Sequence, residues 1–322
     1  MTFTFRDMGP PLAYFLKRWF TFNMAFARKQ LFLLLLALTL GLTGPRNVLA
    51  FLKIVDDRGQ EVTLKEPAQR IVSLYGALTE TVAALGKCEN IVGVTAHETY
   101  PPCVRDKLKV GTHLRPNLEI ILSLKPDLVL QGSVSRGGLL AVKELEAHGL
   151  KVAVFNAYTV EAVFATIERV GILLSRREAA RTLVARMRRK CQELEARVAR
   201  VKKRPRVFYE VSYPALLAAG QKHIVNDLIT RAGGQNVIQV PKKFVRVAPE
   251  LIIKLAPEVY IVQLGPMNKN PLPVAQRPFL KVIPAVAAGR VYYVDEFLFA
   301  RPGPRIIKAL EEMVRLLHPE LP

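Results

Sequence analysis

The chain lacks most of the short signatures by which enzymes show themselves. Its 322 residues contain no Gly-x-Gly-x-x-Gly after an apolar strand, no P-loop, no Gly-x-Ser-x-Gly and no His-Glu-x-x-His. Phosphate cradles, nucleophile elbows and zinc-binding helices of those kinds are therefore not indicated, and no enzyme is expected. There are three cysteines, Cys88, Cys103 and Cys191, without a CxxC pair or zinc-finger spacing. The one Trp is Trp19, and no Gln/Asn tract, Gly/Ser linker or collagen-like period occurs. Acids are scarce, 27 against 47 basic residues, for a net charge of +20. Such a balance suggests nucleic acid in a cytosolic protein, but no helix-turn-helix, zinc finger or aromatic-plus-basic motif accompanies it. What is present is a half-hydrophobic chain long enough for two domains with proper cores.

Residues 1–50 differ from the rest. Arg28 and Lys29 precede an apolar run from Leu31 to Leu42, too short to span a bilayer as a helix. Val48-Leu49-Ala50 offers small residues for cleavage before Phe51, so residues 1–50 read as a signal peptide with an extended leader, and Met24 competes with Met1 as the start. The expected location is the periplasm. After cleavage 41 basic residues face 26 acidic ones, a net +15. Outside the cytoplasm an anionic membrane surface or an anionic ligand suits that charge better than nucleic acid. In an oxidising compartment Cys88 and Cys103 are within reach of a bridge, with buried free thiols as the competing reading. No cysteine stands at the cleavage point to carry a lipid.

One stretch occurs twice. Glu119-Ile-Ile-Leu-Ser-Leu-Lys-Pro126-Asp127-Leu-Val-Leu130 aligns without a gap with Glu250-Leu-Ile-Ile-Lys-Leu-Ala-Pro257-Glu258-Val-Tyr-Ile261, at a spacing of 131. Each copy reads as a short helix stopped by Pro, an acid and a buried strand. Two copies are too few for a solenoid; they imply two similar lobes. Before the first copy, residues 51–64 read as a hairpin about Asp56-Asp57-Arg58-Gly59. From Arg70, strands alternate with helices, which argues for parallel sheets. From about Glu161 to Lys203 apolar residues recur at Leu183, Met187, Cys191, Leu194, Val198 and Val201. That spacing predicts one amphipathic helix of eighteen to forty residues with a basic outer face; a coiled coil would need more heptads. The expected organisation is an N-terminal lobe over 51–160, a connecting helix over 161–204 and a C-terminal lobe over 205–322.

Ligands sit at the carboxyl ends of parallel strands. The loops expected there hold Tyr75, His97, Tyr100 and His113 in the first lobe, and Tyr213, Phe297 and Arg301 in the second. His and Tyr in such loops ligate metals or stack on planar rings. Arg301 and Arg305 flank a Pro-fixed loop, one to reach an anionic ligand and the other to pair with a carboxylate. Glu119 and Glu250 open the two repeated helices, where an acid complements the helix dipole; capping alone does not explain why both lobes share it.

Together these strings resemble the periplasmic binding proteins of cobalamin, siderophore and haem importers, over roughly residues 53–317. Carrying the resemblance are Arg70-Ile-Val-Ser-Leu with Thr79-Glu80, Tyr100-Pro101-Pro102, Asn117-Leu118-Glu119, Leu124-Lys125-Pro126-Asp127, Ala232-Gly233-Gly234-Gln235-Asn236 and Pro304-Arg305. The resemblance implies an α/β fold of two Rossmann-like lobes with parallel sheets, joined by a single long helix, with the ligand in the cleft between them and small lobe movements. It implies a monomer with no intrinsic cofactor, whose cargo is a bound metal chelate (a ferric siderophore, a corrinoid or haem). Its partners would be an ABC permease and ATPase in the inner membrane, docked through Glu119 and Glu250. His97 and His113 fall where cobalamin-binding relatives place aromatic residues. Thr112 falls where haem-binding relatives have an axial Tyr, leaving His113 as the candidate ligand to the chelated metal, and Gly132 replaces another expected aromatic. The alternatives left open are an α/β enzyme acting on a tetrapyrrole or metal and a membrane-anchored sensor.

Overall fold

A computed structural model describes residues 51–132 and 136–321. The leader, its apolar run and the choice between Met1 and Met24 lie outside the described residues. The Asp56 turn closes an antiparallel hairpin of β1 (Leu52–Val55) and β2 (Glu61–Leu64). Asp56 is buried, accepting hydrogen bonds from the Arg58 and Gln60 N–H groups at 2.9 and 3.1 Å and from Val154 N–H at 3.1 Å. One carboxylate thus shapes the turn and ties it to the first sheet.

That sheet is all parallel, in the order β5-β4-β3-β6-β7. Its strands are β3 (Ile71–Ser73), β4 (Ile91–Val94), β5 (Leu108–Lys109), β6 (Leu128–Gly132) and β7 (Val152–Phe155), with α1 (Gly76–Ala84), α2 (Leu118–Ser123) and α3 (Arg136–Ala147) among the connections. A Cys88–Cys103 disulfide spans the segments on either side of β4, and Cys191 is free and buried. Closing a loop of that length stabilises by about 3 kcal/mol in a chain-entropy account.

The second sheet runs β11-β9-β8-β12-β13, with β10 also pairing β8. Here the expectation of a parallel sheet is only partly met. Strands β8 (Arg206–Ser212), β12 (Val259–Leu264), β13 (Val291–Asp295) and β10 (Gln235–Asn236) are parallel. The edge made by β9 (Leu217–Ala219) and β11 (Phe244–Arg246) is antiparallel. Only four residues separate β8 from β9, too few for the crossover a parallel neighbour needs. Helices α6 (Ile224–Arg231), α7 (Pro249–Leu255), α8 (Pro284–Ala287), α9 (Glu296–Phe299) and α10 (Ile306–Leu317) complete this half.

Residues 161–204, expected as one helix, form two: α4 (Val160–Leu173) and α5 (Arg177–Val198). The break falls at Ser175, whose φ of +53° is left-handed, and the chain doubles back so that α5 packs on α4. Gly171 permits the close approach, because a Cβ there would lie 2.5 Å from the Ala180 Cβ. The apolar stripe holds over α5, with Leu183, Met187, Cys191, Leu194 and Val198 all buried. Each such Leu or Met removed from water contributes about 1.5–3 kcal/mol. The 22-residue α5 is therefore the long helix between the lobes. One apolar cluster runs without interruption from Ile71 and Leu128 through Met187 and Leu194 to Tyr209, Ile261 and Met313.

The repeat is structural in detail. In both copies the helix ends on a left-handed residue, Lys125 (φ +45°) and Ala256 (φ +43°), just before the Pro. The acid after each Pro accepts from the N–H that opens the lobe's first strand: Asp127 from Arg70 at 3.0 Å and Glu258 from Arg206 at 3.0 Å. The same two arginines donate from their side chains to the last helical carbonyls, Leu124 and Leu255. Each repeated helix therefore ends beside the starts of its lobe's strands. Its first turn, bearing Glu119 or Glu250, faces the carboxyl ends.

Candidate functional site

The loops leaving β3 and β4 and the end of β6 face the loops leaving β12 and β13 across a cleft. Tyr75 caps the entrance to α1, and its ring lies over Gly132 at the end of β6. A Cβ at 132 would come within 2.3 Å of the Tyr75 ring, so the ring occupies the space that a side chain at 132 would need. The Tyr75 and His113 rings lie 6.2 Å apart, tilted by 59°. Gln131 steadies the His113 loop by donating to the His113 carbonyl at 2.9 Å. Burial, then the charges of Lys243, Arg301 and His97, hold the His113 pKa below its ordinary value. The neutral imidazole, which is the metal-ligating form, is thus favoured near neutral pH. His97 and Tyr100 are exposed on the loop after β4.

Lys243 and Pro302 reach the same floor from the other lobe, facing Tyr75, Asn156 and Tyr158. Between them the floor narrows to about 10 Å³, room for roughly one water. Lys243 lies 5.3 Å from the Phe244 ring, and burial pushes its ammonium pKa down to about 8.

The Arg301–Arg305 loop spans the two lobes. Arg301 stacks 3.9 Å over Phe297 and donates to Glu98 at 3.1 Å. Glu98 is buried and also accepts from the Thr95 hydroxyl at 3.1 Å. Gly76 leaves the space this pair needs, since a Cβ there would fall 2.3 Å from Arg301 Nη1. Arg305 lies 4.0 Å over the Tyr100 ring and grips Glu80 through two hydrogen bonds, at 2.9 and 2.6 Å. Burial raises the Glu80 pKa, and Arg305 works against that rise. Both arginines therefore pair with lobe-one carboxylates, where only one was expected to.

Tyr213 belongs to a different arrangement. Its N–H donates to Asn268 at 2.9 Å, and its ring lies 4.0 Å from the Arg277 guanidinium. Arg277 is bound to Glu210, a carboxylate with no exposure, which also accepts from the Tyr260 hydroxyl at 2.6 Å. The structure thus gathers Tyr75, His97, His113 and Arg301, sets Tyr100 and Phe297 under the two arginines, and keeps Tyr213 over a buried ion pair. Sequence reasoning missed Lys243, Glu80, Glu98, Glu210 and Arg277. The available signal was acids in or beside candidate loops, which had no visible partner. Glu119 and Glu250 are both exposed and form no ion pair among the described residues.

Known proteins bear out the fold. A family described as periplasmic binding protein matches residues 71–297. An uncharacterised ABC transporter substrate-binding lipoprotein, YvrC of Bacillus subtilis, is 33% identical over 272 residues, covering 83% of this chain and 85% of that one. A vitamin B12-binding protein of Photorhabdus laumondii is 27% identical over 77% of this chain and 88% of its own. The periplasmic haem-binding protein BhuT, in complex with two haems, superposes with a TM-score of 0.69 at 29% identity, covering 80% of this chain and 100% of that one. With both lobes, the joining helix and the cleft accounted for, the chain belongs to the periplasmic binding protein family, the substrate-binding components of ABC importers.

Proposed function

We propose that the protein captures an iron or cobalt chelate, a corrinoid, haem or ferric siderophore, in the periplasm and delivers it to an inner-membrane ABC permease and its ATPase. The observation carrying this reading is the facing of Tyr75 and a neutral His113 in one lobe with Lys243 and Arg301 in the other. An aromatic face suits a flat macrocycle, an imidazole suits its metal, and the Lys243 ammonium suits its acidic periphery. Relatives named for vitamin B12 and for haem lend the chelate class support. The exposed, unpaired Glu119 and Glu250 mark the two lobe tips for docking on basic permease residues, pairs that set orientation and on-rate more than affinity. Titration of the processed protein with cobalamin, haemin and a ferric hydroxamate tests the reading. One of them should bind 1:1 and quench Tyr fluorescence; no binding by any of the three would refute it.

A further inference from the structure

The positive charge is not spread evenly. Residues 176–204 carry twelve basic side chains against three acids, so this segment alone supplies nine of the fifteen net charges that follow the leader. It comprises α5 and the chain leaving it, and the buried stripe of α5 fixes which way its cations point. Arg188 and Lys190, nearest the buried stripe, reach Glu161 of α4 and Glu311 of α10. Arg186, Arg189, Arg197, Arg200, Lys202 and Arg204 form no ion pair among the described residues. All but the half-buried Arg197 are exposed. The helix C-terminus explains cations in its last turn, but not Arg186 and Arg189 in its middle. Between them the outer face shows Thr182, Ala185, Gln192 and Ala196, with no large apolar side chain. Such a face adsorbs by charge and does not insert.

The charge points to an anionic phospholipid surface as the partner of this face. We infer that the outer side of α5, about 33 Å long at 1.5 Å per residue, lies against the bilayer and keeps the protein beside the membrane in which an importer's permease sits. Its cations stand within a Debye length or so of their neighbours and act on the surface together. The segment leads into Arg206, where β8 starts, so its C-terminal end lies at the opposite end of that strand from the cleft loops. None of the three cysteines of this sequence substitutes for the attraction by carrying a lipid, since Cys88 and Cys103 are joined and Cys191 is buried.

Residues 51–322 form one compact unit and serve for the test. Co-sedimentation is measured with vesicles of pure phosphatidylcholine and of phosphatidylcholine with 30% phosphatidylglycerol, a share of roughly one anionic lipid in three. Arg186→Glu, Arg189→Glu and Arg200→Glu are combined and compared with the charge-matched Lys65→Glu, Lys151→Glu and Lys281→Glu, three exposed lysines elsewhere. The expected result is binding to the anionic vesicles only, lost at least tenfold in the first triple variant and changed less than twofold or so in the second. Circular dichroism confirms that both fold. Equal losses in the two variants, or equal binding to both vesicles, would overturn the inference. So would displacement from vesicles by an equal charge of duplex DNA, which would make the face a surface for any polyanion.

Discussion

Replacing Arg305 by Ala removes one half of an ion pair whose other half cannot reach water. Glu80 is 4% exposed, and both its oxygens accept from Arg305. Breaking a buried pair from one side costs about 3–5 kcal/mol. At about 2–4 °C per kcal/mol for a chain of this size, the melting temperature should fall by roughly 6–20 °C at pH 7.5. The loss should also depend on pH. Burial raises the Glu80 pKa above its ordinary 4.5 even with Arg305 in place, and without Arg305 the main opposing influence is gone. A group whose folded pKa lies above its unfolded value contributes stability fully below the unfolded pKa and loses it as pH rises through the folded one. The deficit of Arg305→Ala should therefore be small near pH 4.5 and grow toward neutrality. Adding Glu80→Gln should recover most of it at pH 7.5. Calorimetry at the two pH values decides the matter. An equal deficit at both, with no recovery by Gln, would show that Arg305 acts by stacking its guanidinium on Tyr100, and the Glu80 argument would fall.

Glu119→Ala combined with Glu250→Ala should abolish uptake of the cargo in cells while leaving its affinity for the purified protein unchanged; reduced affinity would remove the docking role. His113→Ala should shift the visible spectrum of the bound chelate. Because burial lowers the His113 pKa, any pH dependence of that spectrum should lie on the acid side of the ordinary imidazole range. His223 caps α6 by accepting the Val225 N–H at 3.2 Å, and burial pushes its pKa down to about 3. A depressed folded pKa means stability is lost as pH falls from the ordinary 6.5 toward that value, by about 1.4 kcal/mol per unit. His223→Asn, which keeps a capping oxygen, should therefore flatten the acid limb of the unfolding curve; an unchanged limb would refute that assignment.

What the sequence discloses is mostly local. The Glu–helix–Pro–acid–strand repeat is legible because each part acts on its neighbours, and its two copies imply two lobes. The acid after the Pro was read only as part of a pattern. Its function, holding the N–H of an arginine 57 or 52 residues earlier, needs the fold. The break between α4 and α5 has no Pro to announce it; it falls at the left-handed Ser175, and Gly171 gives the room for Ala180 to pack close. The cleft was legible as loops and not as partners. Glu98 and Arg301 are 203 residues apart, and Glu80 and Arg305 are 225 apart. Tyr75 and Gly132 complement each other in volume across two strands, which periodicity cannot express.

These long-range contacts bear on how the lobes can move. Swinging them apart would break the Glu80–Arg305 and Glu98–Arg301 pairs, yet it would also admit water to all four groups. Paired charges that become hydrated exchange one favourable setting for another, and the net loss is nearer the ~1 kcal/mol of an exposed pair. The apolar core has no such compensation. Met187 and Leu194 of the joining helix, Tyr209 of the second lobe and Leu128 of the first are members of one cluster. Exposing even four such side chains costs about 6–12 kcal/mol, most of the net stability of about 5–15 kcal/mol a folded protein possesses. Water can replace a partner for the arginines but not for the core. The restraint on wide opening therefore lies in the shared core, and the arginine pairs set the finer closure above it.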